Sequence, residues 1–96
     1  MYKNLIGKKV LVHSYDAGVY FGTLTNVEGE TVRLENARNI WHWKGASCLF
    51  QIANDGITGD QVSPIVDSVV LNRISQIIPL TEKAIKSLEG QPVWKY

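Results

Sequence analysis

Hydrophobic and polar positions alternate through the first half of the chain and take up a helical spacing in the middle. Residues 8–15 put Val10 and Val12 on one side and Lys9, Leu11 and His13 on the other, which is the two-residue period of a strand. Asp16-Ala17-Gly18 follows as a turn. Residues 19–27 are rich in β-branched and aromatic side chains, and Gly22 within them marks a bulge or a sharp bend. Glu28-Gly29 is a second turn signal, and residues 31–35 alternate again. Asn36-Ala37 breaks that run before residues 38–43 resume it. Short strands at this spacing, joined by tight turns, predict a strongly bent antiparallel sheet or a small SH3-like or Sm-like barrel.

The period then changes. Ala46, Leu49, Phe50 and Ala53 fall at i, i+3, i+4 and i+7, one apolar stripe of a short helix at about 46–55. Gly45 makes the corner before it, and Gly56 lies just past its end. Residues 54–64 are polar and contain glycine, so they read as a surface loop. Strand composition returns at 65–78, enough for one or two strands, with Asn72-Arg73 marking the join and Pro79 the end. Thr81 caps a helix over 82–89, Glu82 sits at its positive end, and Gly90 suits its stop. The expectation is a single α+β domain over residues 1–96, a small bent antiparallel sheet or SH3-like barrel with two short helices. The tail adds two aromatics, Trp94 and Tyr96.

Charge and composition narrow the function. Ten basic against nine acidic residues leave a formal charge of +1, which lacks the global positive field that drives non-specific binding to DNA. A local basic patch stays open, with Lys3, Lys8, Lys9, Arg38 and Lys44 as its members if they converge. The single cysteine, Cys48, cannot form an intramolecular disulfide and points to a reducing compartment. The start of the chain has no apolar signal-peptide run, and no stretch approaches the roughly 18 apolar residues that span a bilayer. A cytoplasmic protein without membrane contact is therefore expected.

Candidate chemistry is sparse. Ser47 and Cys48 lie close in sequence to His42, but a strand that turns away at Gly45 would not hold the base against either nucleophile. Cys48 beside an apolar helical stripe reads as a small buried hydrophobe. His13, His42 and Cys48 have no metal-ligand spacing. Asp55, Asp60 and Asp67 fall in or beside a loop, where carboxylates are mostly solvated, and no phosphate-cradling glycine motif is present. The expectation is a protein that binds rather than catalyses, with no cofactor and no metal.

The most informative segment is Arg38-Asn39-Ile40-Trp41-His42-Trp43-Lys44. In a strand, Trp41 and Trp43 share one face while Ile40 and His42 share the other. Two tryptophans side by side suit stacking on a base or planar ligand, worth about 1–3 kcal/mol per base, with Arg38 or Lys44 facing an anionic group. They suit equally a protein–protein interface, or simply the core. Tyr15 and Tyr20 flank the first turn and can meet across a hairpin, which makes them secondary ligand-binding candidates.

Taken together, residues 4–10 (NLIGKKV), 17–24 (AGVYFGTL), 37–46 (ARNIWHWKGA) and 77–84 (IIPLTEKA) resemble a family of small bacteriophage-encoded proteins known as a domain of unknown function. The resemblance spans most of the chain, and the loop at 54–63 departs from it. It implies a phage accessory protein acting on host machinery, by blocking a host defence protein or by sequestering a nucleotide-type immune signal. It also places the binding surface in the AGVxFGTL and IWxWxGA segments. A homo-oligomer is expected, because unpaired sheet edges are often covered by partners. The alternatives are a nucleic-acid-binding SH3-like or Sm-like module, less expected on charge, and a virion or assembly component.

Overall fold

A computed structural model describes residues 3–40, 48–58 and 62–92. Its five antiparallel strands are β1 (Lys9–Ser14), β2 (Gly18–Glu28), β3 (Thr31–Ile40), β4 (Val66–Leu71) and β5 (Ile74–Pro79). They form one open sheet in the order β4-β3-β2-β1-β5, accompanied by helices α1 (Leu49–Asp55) and α2 (Glu82–Glu89). This is the small α+β fold that the change of period predicts, and the join at Asn72-Arg73 separates two strands as expected.

Both faces of the sheet are covered, which is why Val10, Leu11 and Val12 are all buried although they alternate in direction. On one face Leu11, Val19, Phe21 and Ile40 pack with Ile52 and Ala53 of α1 and Leu88 of α2. On the other, Val10, Val12, Leu24, Val32, Leu34 and Leu71 pack among themselves. Leu5, before the first strand, and Val69, Ile74 and Ile77 of the edge strands pack against that second cluster. β4 and β5 lie at opposite edges yet are joined by only Asn72 and Arg73, so the two edges must converge at this corner. The corner is well tied: Ser14 Oγ donates to Asn72 O at 2.7 Å, Tyr15 N–H to Arg73 O at 3.1 Å, and Ile74 N–H to Glu30 O at 3.0 Å.

Two irregularities steepen the bend of β2 and β3. Thr25 is the extra residue between the pairs Leu24↔Leu34 and Asn26↔Arg33, and its hydroxyl donates to Arg33 O. Nearer the centre, the two residues Asn36-Ala37 oppose the single residue Gly22, between the pairs Thr23↔Glu35 and Phe21↔Arg38. The sequence reading of Asn36-Ala37 as a break between two strands is thus corrected: β3 runs through it as a bulge. Asn36 takes the left-handed conformation there (φ 53°), which asparagine tolerates better than most residues. A Cβ on Gly22 would lie 3.0 Å from Glu35 O and 3.1 Å from Ala37 Cα, so the close approach at the bulge favours a glycine opposite it.

The helices bring three further corrections. α2 matches its predicted span, and Thr81 Oγ1 accepts from Ala84 N–H as a cap. In α1, however, the buried residues are Ile52 and Ala53, while Phe50 of the expected stripe is exposed. Packing against α2 and the sheet, rather than the helix's own pattern, selects that face. Cys48 is exposed at the helix start instead of buried beside the stripe. The polar loop is not wholly superficial, because Ile57 and Val62 enter the helix-covered core, Val62 through a bridge to Ile40. Gly56 ends α1 at φ 83°, and its missing Cβ would otherwise overlap Ser87 of α2 at 2.2 Å.

Candidate functional site

The central bulge decides which side chains meet. In an unbroken ladder residue 37 would stand beside Phe21; the extra residue puts Arg38 there instead. It also exchanges the faces of β3. Val32 and Leu34 belong to the cluster without helices, whereas Ile40, of the same parity, belongs to the helix-covered one. Arg38 follows Ile40 onto the helix-covered side, where an alternating pattern alone would not have placed it.

Arg38 is 4% exposed. Its Nε donates to the carbonyl of Ser63 at 2.8 Å, and Ser63 is itself fixed by its hydroxyl, which accepts from Asn39 N–H at 2.8 Å. The other end of the guanidinium is different: Nη2 is buried and has no hydrogen-bond partner among the described residues. Buried polar atoms are nearly always paired, so an orphaned cationic donor calls for an explanation. Burial pushes the Arg38 pKa down from its usual value, the direction expected when a charge loses water, yet arginine keeps its proton in proteins.

This side chain lines a cavity of about 390 Å³, within the size range of small-molecule sites. Phe21 and Ile65 supply apolar wall, and Thr23 and Asn36 bring a hydroxyl and an amide. Lys9 and Glu89 complete it, joined to each other by an ion pair between β1 and the last residue of α2. The cavity therefore offers the buried Arg38 cation in its lining, an apolar wall and a neutralised charge pair. Two other hollows, one beside Lys8 and Pro79 and one beside Leu49 and Phe50, hold no buried unpartnered side-chain atom among the described residues.

Of the residues singled out in sequence, Arg38 is in this cavity. Trp41, Trp43 and Lys44 lie outside the described residues, as do His42 and Ser47. Tyr15 and Tyr20 are not opposite each other. Tyr20 pairs with Val12 and packs on the helix-free cluster, while Tyr15 sits in the turn, 68% exposed. Its ring meets His13 edge-on at 5.6 Å and lies 5.7 Å from the Arg73 guanidinium, which also bonds Asp16 at 2.9 Å. His13 Nδ1 is hydrogen-bonded to Ser75 Oγ. Of the expected basic stripe, Arg38 is buried and Lys9 is paired with Glu89, while Lys44 lies outside the described residues.

Sequence reasoning missed Glu89 as a site residue; Lys9 entered only as a member of a basic patch, and Phe21 only within the AGVxFGTL segment. No local signal could have found Glu89, which reaches Lys9 across 80 positions. No group of three or more His, Cys, Asp or Glu side chains suited to a metal occurs among the described residues. Among the same residues, no helix is long and apolar enough to cross a membrane.

Fold and cavity together define a class: a small α+β protein with a curled antiparallel sheet and a compact hollow lined in part by a buried arginine. The chain belongs to the family described as Domain of unknown function (DUF6948), whose sequence profile matches residues 7–88. The match takes in the central bulge, Arg38 and both halves of the curled sheet. No curated protein and no solved structure matches the chain significantly.

Proposed function

We propose that this protein acts by binding, without catalysis, and that its ligand is a small molecule bearing an oxyanion, held in the Arg38 cavity. The observation that carries this reading is Arg38, a cavity-lining cation whose Nη2 is buried and without a partner among the described residues. A carboxylate or phosphate oxygen supplies what that donor lacks, in the charge-assisted geometry for which arginine is suited. A nucleotide-type molecule combines such an oxyanion with a flat body for the wall of Phe21 and Ile65. In the bacteriophage setting implied by the sequence resemblance, the role is capture of a host's nucleotide-type immune signal.

Blocking of a host protein is the second reading. Tyr15 favours it, being exposed at a hairpin tip beside Arg73, since tyrosine and arginine are over-represented among interface anchors. The proposal includes an SH3-like roll of the sheet, supported by the two-residue link between its opposite edges. It also includes a homo-oligomer, supported by edge strand β4 with Val66 and Val70 exposed.

Calorimetric titration with a panel of cyclic mononucleotides and dinucleotides tests the ligand class. Saturable binding to the wild type and its loss in Arg38→Met is the expected result. Absence of binding across the panel, or equal affinity in Arg38→Met, contradicts it.

A further inference from the structure

Resting on the binding reading above, we propose that the cavity selects a singly charged oxyanion over a doubly charged one, and that Glu89 sets this preference by holding Lys9. Three charged side chains line the cavity: Arg38, Lys9 and Glu89. Lys9 and Glu89 form an ion pair, so their charges cancel at the wall. What remains is the single charge of Arg38, buried and with Nη2 unpaired among the described residues. Beyond the wall, Arg33 and Glu35 alternate on the same side of β3 with opposite charges and add no net field.

The position of Glu89 strengthens the bias. It is the last residue of the eight-residue helix α2, whose C-terminal end carries the negative pole of the helix dipole. A ligand with one negative charge satisfies Arg38 and leaves the Lys9–Glu89 pair in place. A second negative charge must either lie unpaired near Glu89 and that helix end, or take Lys9 away and leave the Glu89 carboxylate without its partner. Both routes cost Coulomb energy that the first ligand does not meet. The selected chemistry is therefore a carboxylate or a phosphodiester, each with one charge, and not a terminal phosphate, which is largely doubly charged above pH 7.

Glu89 is thus a specificity-determining residue that acts through Lys9. The pair is half exposed, so its contribution to folding is small and Glu89→Gln keeps the fold. The test uses three probes with the same phenyl body at pH 8: benzoate and methyl phenyl phosphate, each singly charged, and phenyl phosphate, doubly charged. Affinities are measured for wild type, Glu89→Gln and Arg38→Met. The expected result is that wild type binds at least one singly charged probe roughly ten-fold more tightly than phenyl phosphate. The tighter of benzoate and methyl phenyl phosphate then identifies the source as carboxylate or phosphodiester. Glu89→Gln, with Lys9 released, erases or reverses that preference, and Arg38→Met loses all three probes. Equal or tighter binding of phenyl phosphate by wild type, or an unchanged preference in Glu89→Gln, overturns the charge selection while Arg38-dependent binding leaves the pocket reading standing. Failure of all three probes to bind wild type overturns the pocket reading and the selection with it.

Discussion

Arg38 is a residue whose burial works against folding. Taking a guanidinium out of water with Nη2 unpaired among the described residues costs free energy that its bond to Ser63 O offsets only in part, since such a bond contributes about 1–3 kcal/mol. Arginine does not lose its proton, so this cost persists at every ordinary pH and produces no pH dependence of stability near neutrality. Replacing it by an apolar residue of similar length removes the cost along with the bond. Arg38→Met is accordingly expected to unfold in urea within about 1 kcal/mol of the wild type, or later, while losing anion binding. A loss of more than about 3 kcal/mol would mark Arg38 as structural and count against its role as a binding group. Gly22 is the opposite kind of residue. Alanine there brings a Cβ to 3.0 Å from Glu35 O, and the expected cost is about 1–3 kcal/mol by the same measurement.

At the scale of elements, how much could be read from the sequence depended on whether the chain's own pattern or a distant partner fixed the structure. The alternation in residues 8–15 and 31–35 and the turns at Asp16-Ala17-Gly18 and Glu28-Gly29 are local, and β1, β2 and the start of β3 follow them. α2 is equally plain, because the Thr81 cap, Glu82 at the positive end and the Gly90 stop lie within one short segment. The central bulge was half legible. Gly22 signalled an irregularity, but Asn36-Ala37 looks the same in sequence whether a strand ends there or continues through a bulge. The exposed face of α1 was misread because Ile52 is buried by what packs on it, not by its own spacing. Thr81 shows how one residue serves two elements, since its hydroxyl caps α2 and also donates to Asn54 O at the end of α1. Thr81→Ala is expected to lower stability by at least about 1 kcal/mol in thermal unfolding. An unchanged midpoint would remove this cap from the account.

At the scale of the whole molecule, the curled sheet gathers residues that sequence keeps apart. Lys9 from the first strand, Arg38 from the third and Glu89 from the last helix reach one cavity; the sequence offers Lys9 only for a basic patch and Arg38 for that patch or beside its tryptophan neighbours, and gives no sign of Glu89. The same curl leaves β4 as an edge with Val66 and Val70 exposed. If β4 joins protomers, Val70→Lys converts the oligomer to monomer in light scattering, with a stability change within about 0.5 kcal/mol as for other surface substitutions. An oligomer that persists in that variant places the interface elsewhere, and a monomeric wild type removes the oligomer from the proposal. The binding account itself stands or falls on Arg38. Its guanidinium is directly observable by nuclear magnetic resonance through the Nε–H signal, held in place by Ser63 O. Titrating methyl phenyl phosphate and then benzoate into the labelled protein should shift that signal together with the amides of Phe21 and Thr23, saturably for at least one of them. A spectrum in which the Arg38 signal stays still under both probes, whether or not amides elsewhere move, would contradict the central claim.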